Sequence, residues 1–166
     1  MHLTFRPAQP EDASELALLH TAVSADLTIR FGQGPWSAVT SERGILLALT
    51  NSRITVAIYR GGIAGTYRLQ TRKPWAIDIA YFTTVKKAVY LTGMAVTPAM
   101  QRMGIGSQLL DRSLVEAKSW PAEAIRLDAY DADAGAGQFY AKRGLREMGR
   151  VIYRRAPLIY FEKTFV

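Results

Sequence analysis

Apolar and polar positions along the chain follow two rhythms. Strand-like runs occur at LTFRPA (3–8), ITVAIYR (54–60), IAGTYRLQT (63–71), AVYLTGMAV (88–96) and AIRLDAY (124–130), with LREMGRVIYR and PLIYFEKTF as a closing pair. Leu16, Leu19, Val23 and Leu27 fall at helical spacing, which predicts a helix opened by Pro10-Glu11 and running to about Leu27. IRFGQGPWSAV then reads as a loop. A second helix is expected over Ser41–Leu49, with Ser41 or Thr40 as N-cap. Gly61-Gly62 reads as a hairpin turn. Ile105, Leu109, Leu114 and Ala117 define a helix over 105–119, and a short helix over 135–143 ends at Gly144, with Asp133 placed to cap it. Residues 72–88 stay open between a strand and an ordered loop. Gly93, inside a strand pattern, marks either a bulge or a close packing contact.

The resulting order, β-α-α-β-β-β-α-β-α-β-β, predicts an α/β fold: one mixed sheet of six to seven strands flanked by about four helices. Residues 88–130 should form a parallel crossover. At 166 residues, with no repeat or linker-like tract, a single domain over 1–166 is the expectation.

Composition removes several chemistries. The chain has no cysteine, so disulfides, thiolate nucleophiles and thiolate metal sites are out. His2 and His20 are too few for a histidine-built metal site, and none is expected. No apolar run nears the ~20 residues of a membrane span, and MHLTFRPAQPED lacks a signal-peptide pattern, so the cytoplasm is the expected location. The formal net charge of +7 favours an anionic partner. Much of the excess follows Lys142: Lys142, Arg143, Arg146, Arg150, Arg154, Arg155 and Lys163 stand against Glu147 and Glu162.

One stretch concentrates the chemistry. In TPAMQRMGIGSQLL (97–110), Gln101, Arg102, Gly104 and Gly106 lie directly before an apolar helix. The first N–H groups of a helix have no partner inside it, and its dipole adds partial positive charge. Glycines admit a phosphate to that backbone. The pattern is neither G-x-x-x-x-G-K-[ST] nor G-x-G-x-x-G. A second stretch, DAGAGQFYAKRGL (133–145), places Phe139-Tyr140 on a short helix closed by Gly144.

With these two stretches, correctly spaced and ordered, the chain resembles the GCN5-related N-acetyltransferase (GNAT) superfamily. Gln101-Arg102-Met103-Gly104-Ile105-Gly106 matches the acetyl-CoA motif Q/R-x-x-G-x-G/A, with Ser107 beside it. Asp133, Ala136, Phe139, Tyr140, Gly144 and Leu145 take the places of the later signature, with Asp133 where the family has Asn and Leu145 where it has Phe. The resemblance implies acetyl-CoA as cofactor, with the main chain of Met94, Ala95 and Val96 along its pantetheine arm. It implies that Tyr140 is a general acid, the alternative being a core aromatic. Asp128 precedes Tyr140 by the spacing of a proposed base in the ribosomal-protein alanine acetyltransferase branch. Its alternative is a salt bridge with Arg126 or Arg68. Asp78 and Asp131 are weaker candidates, and Asp131 fits the turn after its strand.

Phe31, Trp36, Trp75, Asp78 and Tyr81 are candidate acceptor-binding residues, with Tyr153 and Tyr160 as further aromatics that could line the pocket, and core aromatics are the alternative. The expected activity is transfer of an acetyl group to a primary amine of a small molecule, peptide or protein. Two other readings stand beside it: an acyl-CoA-binding sensor without chemistry, and a basic nucleic-acid-binding domain. The charge is in part what a CoA site needs, and no nucleic-acid-binding motif is present, so neither nucleic acid nor membrane is expected as partner. The family resemblance implies a homodimer, with the C-terminal strands as the first candidate for its contact.

Overall fold

The computed structural model describes residues 1–165 and divides them into two compact units. The first comprises Met1–Leu69 and Gly93–Ser113, and the second Gln70–Thr92 and residues 114–165. The strands are β1 (Thr4–Pro7), β2 (Arg53–Tyr59), β3 (Gly62–Gln70), β4 (Ala88–Val96), β5 (Ala124–Tyr130), β6 (Arg146–Tyr153) and β7 (Ala156–Thr164). The α-helices are α1 (Ala13–Phe31), α2 (Glu42–Asn51), α3 (Ile105–Ser119) and α4 (Gly137–Lys142). The hydrogen-bonded strand order is β1-β2-β3-β4-β5-β7-β6. This is the mixed α/β architecture that the hydrophobic pattern predicts.

In the first unit β1, β2 and β3 form an antiparallel meander. Leu16 and Leu19 of α1 and Ile45 of α2 pack with Val56, Ile63 and Ala95 of the sheet. α1 runs past the expected end at Leu27 to Phe31. No breaker intervenes, an Asp26–Arg30 ion pair at 2.9 Å supports the last turns, and Gly32 closes the helix at φ +82°. Ser41 is the N-cap of α2, accepting the Gly44 N–H at 3.0 Å. The β2–β3 turn centres on Arg60-Gly61, with φ +49° and +84°, rather than on Gly61-Gly62; a two-residue hairpin of this hand needs positive φ at both central positions. Gly65 of β3 lets α3 settle on the sheet. A side chain there would lie 2.8 Å from Leu109 Cδ1 and 3.0 Å from the Ala95 carbonyl.

In the second unit β4 and β5 pair in parallel through Ala88–Ala124, Val89–Ile125 and Tyr90–Arg126. β5 then pairs antiparallel with β7, and β7 with β6. Residues 72–88 contribute no strand before β4 begins at Ala88; Ile79–Tyr81 is a single 3-10 turn. This segment is nonetheless anchored. Ile77 and Phe82 are buried against Tyr90 and Tyr160. Arg154-Arg155 form the β6–β7 turn, again with two positive φ values, +46° and +68°.

Candidate active site

In the first unit, the loop between β4 and α3 is held at several points. Thr97 donates its N–H to Ala64 O at 2.9 Å and its hydroxyl to Ile63 O at 3.2 Å. Gln101 Nε2 donates to Val96 O at 3.2 Å, so this side chain braces the loop. Arg102 (φ +62°) and Gly104 (φ +83°) are both left-handed. Holding a non-glycine residue there costs about 1–2 kcal/mol, which the braced loop must sustain. The space where a Gly104 side chain would point is open. The Gln108 N–H reaches back to Gly104 O at 3.3 Å. The earlier N–H groups of Ile105, Gly106 and Ser107 have no backbone acceptor among the described residues. Three donors and the positive end of a 15-residue helix thus face an uncrowded loop.

Just upstream, Gly93 is exposed and left-handed at φ +57°, so β4 turns within its own length. The nearest atom to a side chain placed there is His20 Cε1, at 3.8 Å. Met94 and Val96 are partly buried and Ala95 is buried in the core. Thr92 Oγ1 is buried without a hydrogen-bond partner among the described residues.

The second unit holds the titratable cluster. The β5–β7 register places Arg126, Asp128 and Tyr130 opposite Glu162, Tyr160 and Leu158. Burial raises the Asp128 carboxyl above its ordinary range. Tyr140 is buried, ringed by Phe139 at 5.2 Å and Phe161 at 5.8 Å. Burial pushes its phenol up, and the charge of Asp128 adds to the rise. Tyr130 and Tyr160 are raised by burial first, and both also feel Asp128. The charge of Asp128 thus opposes ionisation of all three phenols. The salt-bridge alternative for Asp128 is not what the structure shows. Arg126 donates to Glu162, Tyr90 and Thr83, and Arg68 to Ser52 and Asn51.

Two other expectations need correction. Asp133 is exposed and does not cap the short helix: the N-cap of α4 is Ala136, without a side-chain cap. Gly135 makes the turn instead, donating to Ala132 O at 2.8 Å and lying against the Tyr130 carbonyl, where a side chain could not fit. Asp131 does not shape the turn with its carboxylate, which pairs with Arg150 at 2.9 Å.

A cavity of about 610 Å³ opens in the second unit. Trp75, Asp78 and Tyr81 line it together with Lys73, Tyr153 and Tyr160; neither Phe31 nor Trp36 is among its lining residues. Phe31 ends α1 beneath Arg30, and Trp36 Nε1 donates to Gly32 O at 2.9 Å. The Tyr160 hydroxyl donates to the Ala76 carbonyl and accepts the Asp78 N–H at 3.1 Å. Asp78 Oδ1 accepts the Ala80 N–H at 3.0 Å, so this carboxylate caps the turn at the cavity wall. Tyr81 stands edge-on to Tyr160 at 5.5 Å. It also covers Gly149, where a side chain would come within 2.4 Å of its ring. Tyr153 and Tyr160 line the cavity as the sequence suggested; Gly149 was not singled out there, because only the pairing of β6 and β7 brings it to this wall.

The model of the acetyltransferase (GNAT) family matches residues 20–145, and the chain belongs to that family. Solved structures of the same fold include the PaiA N-acetyltransferase of Thermoplasma acidophilum in complex with coenzyme A, at 14% identity, 99% of this chain, 100% of that one and a TM-score of 0.78. The ribosomal-protein-S18-alanine N-acetyltransferase of Escherichia coli aligns at 16% identity over 98% and 94% of the two chains, with a TM-score of 0.73. yncA of Salmonella typhimurium, solved with its cofactor acetyl-CoA, aligns at 16% identity over 100% and 95%, with a TM-score of 0.72. No curated protein matches in sequence. Among the described residues no helix is long and apolar enough to cross a membrane.

Proposed function

We propose that the protein is an acetyl-CoA-dependent N-acetyltransferase that acts on a primary amine of a small molecule, peptide or protein. The observation that carries this reading is the left-handed Arg102–Gly104 loop, which leaves the N–H groups of Ile105, Gly106 and Ser107 without acceptors. Such a loop suits a diphosphate.

Acetyl-CoA, when bound, supplies an acyl carbon activated as a thioester. The chain's own residues divide the remaining work. Arg102 and the backbone of Met103, Gly104, Ile105, Gly106 and Ser107 hold the phosphates. The turn at Gly93 presents the main chain of Met94, Ala95 and Val96 to the pantetheine arm and supplies a donor for developing oxyanion charge. Tyr140 keeps its proton on Oη throughout the neutral range, because burial and Asp128 both oppose ionisation, and can donate it to a developing thiolate. Asp128 takes up a proton as the amine nitrogen becomes an amide. Ala136 and Phe139 shape the wall beside Tyr140. The cavity lined by Trp75, Asp78 and Tyr81 suits an acceptor with an apolar body.

The first test is thermal unfolding with and without acetyl-CoA. At about 100 times Kd the ligand should add roughly 2.7 kcal/mol, raising Tm by ~5–10 °C. ATP and NAD at equal concentration should not. Amine-dependent release of CoA thiol then tests turnover. A thermal shift with no turnover on a broad amine panel would support the sensor, and no shift would remove the cofactor altogether.

A further inference from the structure

His20 sits on α1 with its imidazole against the left-handed glycine of β4. The ring is partly buried, and neither nitrogen has a hydrogen-bond partner among the described residues. Neither nitrogen is sealed from solvent. An imidazole with no hydrogen bond to make thus stands beside the left-handed residue of β4.

We propose that His20 is a further catalytic residue, the base that converts the acceptor from ammonium to free amine. This rests on the acetyltransferase reading above. An amine arriving at neutral pH carries one proton too many to act as a nucleophile. One N–H bond of the ammonium breaks, the imidazole lone pair takes the proton, and the imidazolium passes it to water. No electrons are gained or lost. The proton released later, as the amide forms, is the one assigned to Asp128.

The surroundings keep the imidazole ready. Burial alone holds it below the usual histidine range, so it is neutral at physiological pH. Charged groups on α1 and on the elements packed against it are engaged elsewhere or exposed. Glu15 accepts the Ile63 N–H at 2.7 Å, Asp26 pairs with Arg30, and Asp12 with Arg6. Glu42 and Arg43 of α2 are exposed. None of them contributes to the shift at His20.

The test compares wild type, His20→Gln, His20→Asn and Asp128→Asn. In the cofactor-free protein, NMR titration of the two histidines, with His20 assigned by its loss in His20→Gln, should give a midpoint below about 6.5. Wild-type kcat/KM should fall as pH drops through that midpoint. Both His20 variants should lose about 100-fold or more in kcat at neutral pH, bind acetyl-CoA as wild type does, and lack that acid limb. Asp128→Asn should retain the limb. If the His20 variants keep wild-type turnover and the acid limb, or lose turnover only in step with Tm and acetyl-CoA affinity, His20 is not the base. Absence of amine-dependent thiol release in the wild type would instead overturn the acetyltransferase reading itself.

Discussion

Arg126 Nε lies 2.9 Å from Glu162 Oε2, with both side chains almost wholly buried. The pair also pins the segment before β4 to the sheet. Arg126 Nη2 donates to Thr83 O at 2.5 Å, and Glu162 Oε1 accepts the Thr83 N–H at 3.3 Å. The guanidinium stacks 5.0 Å above Phe82. Removing one partner would leave the other charge buried. Glu162→Ala should therefore cost about 3–5 kcal/mol, a loss of order 10 °C in Tm. The double variant Arg126→Met/Glu162→Leu should recover much of that loss. Chemical denaturation of all three proteins checks it, and a double variant no more stable than Glu162→Ala would argue against this account.

Asp128 should destabilise the fold at neutral pH. Its carboxyl is raised by burial, so the folded state holds that proton more tightly than the unfolded chain. The stability it contributes is complete below the unfolded value of about 3.9 and is lost as pH rises through the folded value. Asp128→Asn removes the buried charge. Each 1 kcal/mol of relief should raise Tm by about 2–4 °C at pH 7, with little gain at pH 3. Turnover should fall at the same time, a trade of activity for stability. A lower Tm at pH 7 would show that the carboxylate is held by favourable contacts instead.

Tyr140→Phe keeps the ring packing against Phe139 and Phe161 while removing the hydroxyl. It should lower kcat about 100-fold and leave the acetyl-CoA Kd near its wild-type value. Single-turnover kinetics and direct binding separate the two effects. Equal losses in both would assign the tyrosine to the core alone.

Gly149 is where the cavity wall meets β6. A methyl group there would lie 2.4 Å from Tyr81 Cδ1, so the ring must move. If the cavity holds the acceptor, Gly149→Ala should raise KM for the amine and leave acetyl-CoA binding untouched. An unchanged acceptor KM would place the amine elsewhere.

The order of strands and helices was legible in the sequence because each carries its own periodicity and its own stop signals. α3 and β5 fall at the predicted residues, since an apolar face of period 3.6 and a short apolar run bounded by turns are local properties. Gly104 marked the loop before α3 for the same reason: a left-handed residue before a helix is a local requirement. The limits were local as well. The end of α1 was misjudged because Thr28–Phe31 carries no breaker, and only Gly32 stops it.

Contacts between residues far apart in the chain were decided by tertiary structure alone. That Asp128 stands opposite Tyr160 depends on strand register, because a register shift of one residue exchanges the faces of a strand. The pairing of Arg126 with Glu162 spans 36 positions, and that of Asp78 with Tyr160 spans 82. His20 looked like one of two histidines too few for a metal. Its place beside Gly93 comes from how α1 packs on the sheet. Composition and spacing determine which chemistry the chain can carry, and packing decides which groups are desolvated together and therefore which of them can exchange protons.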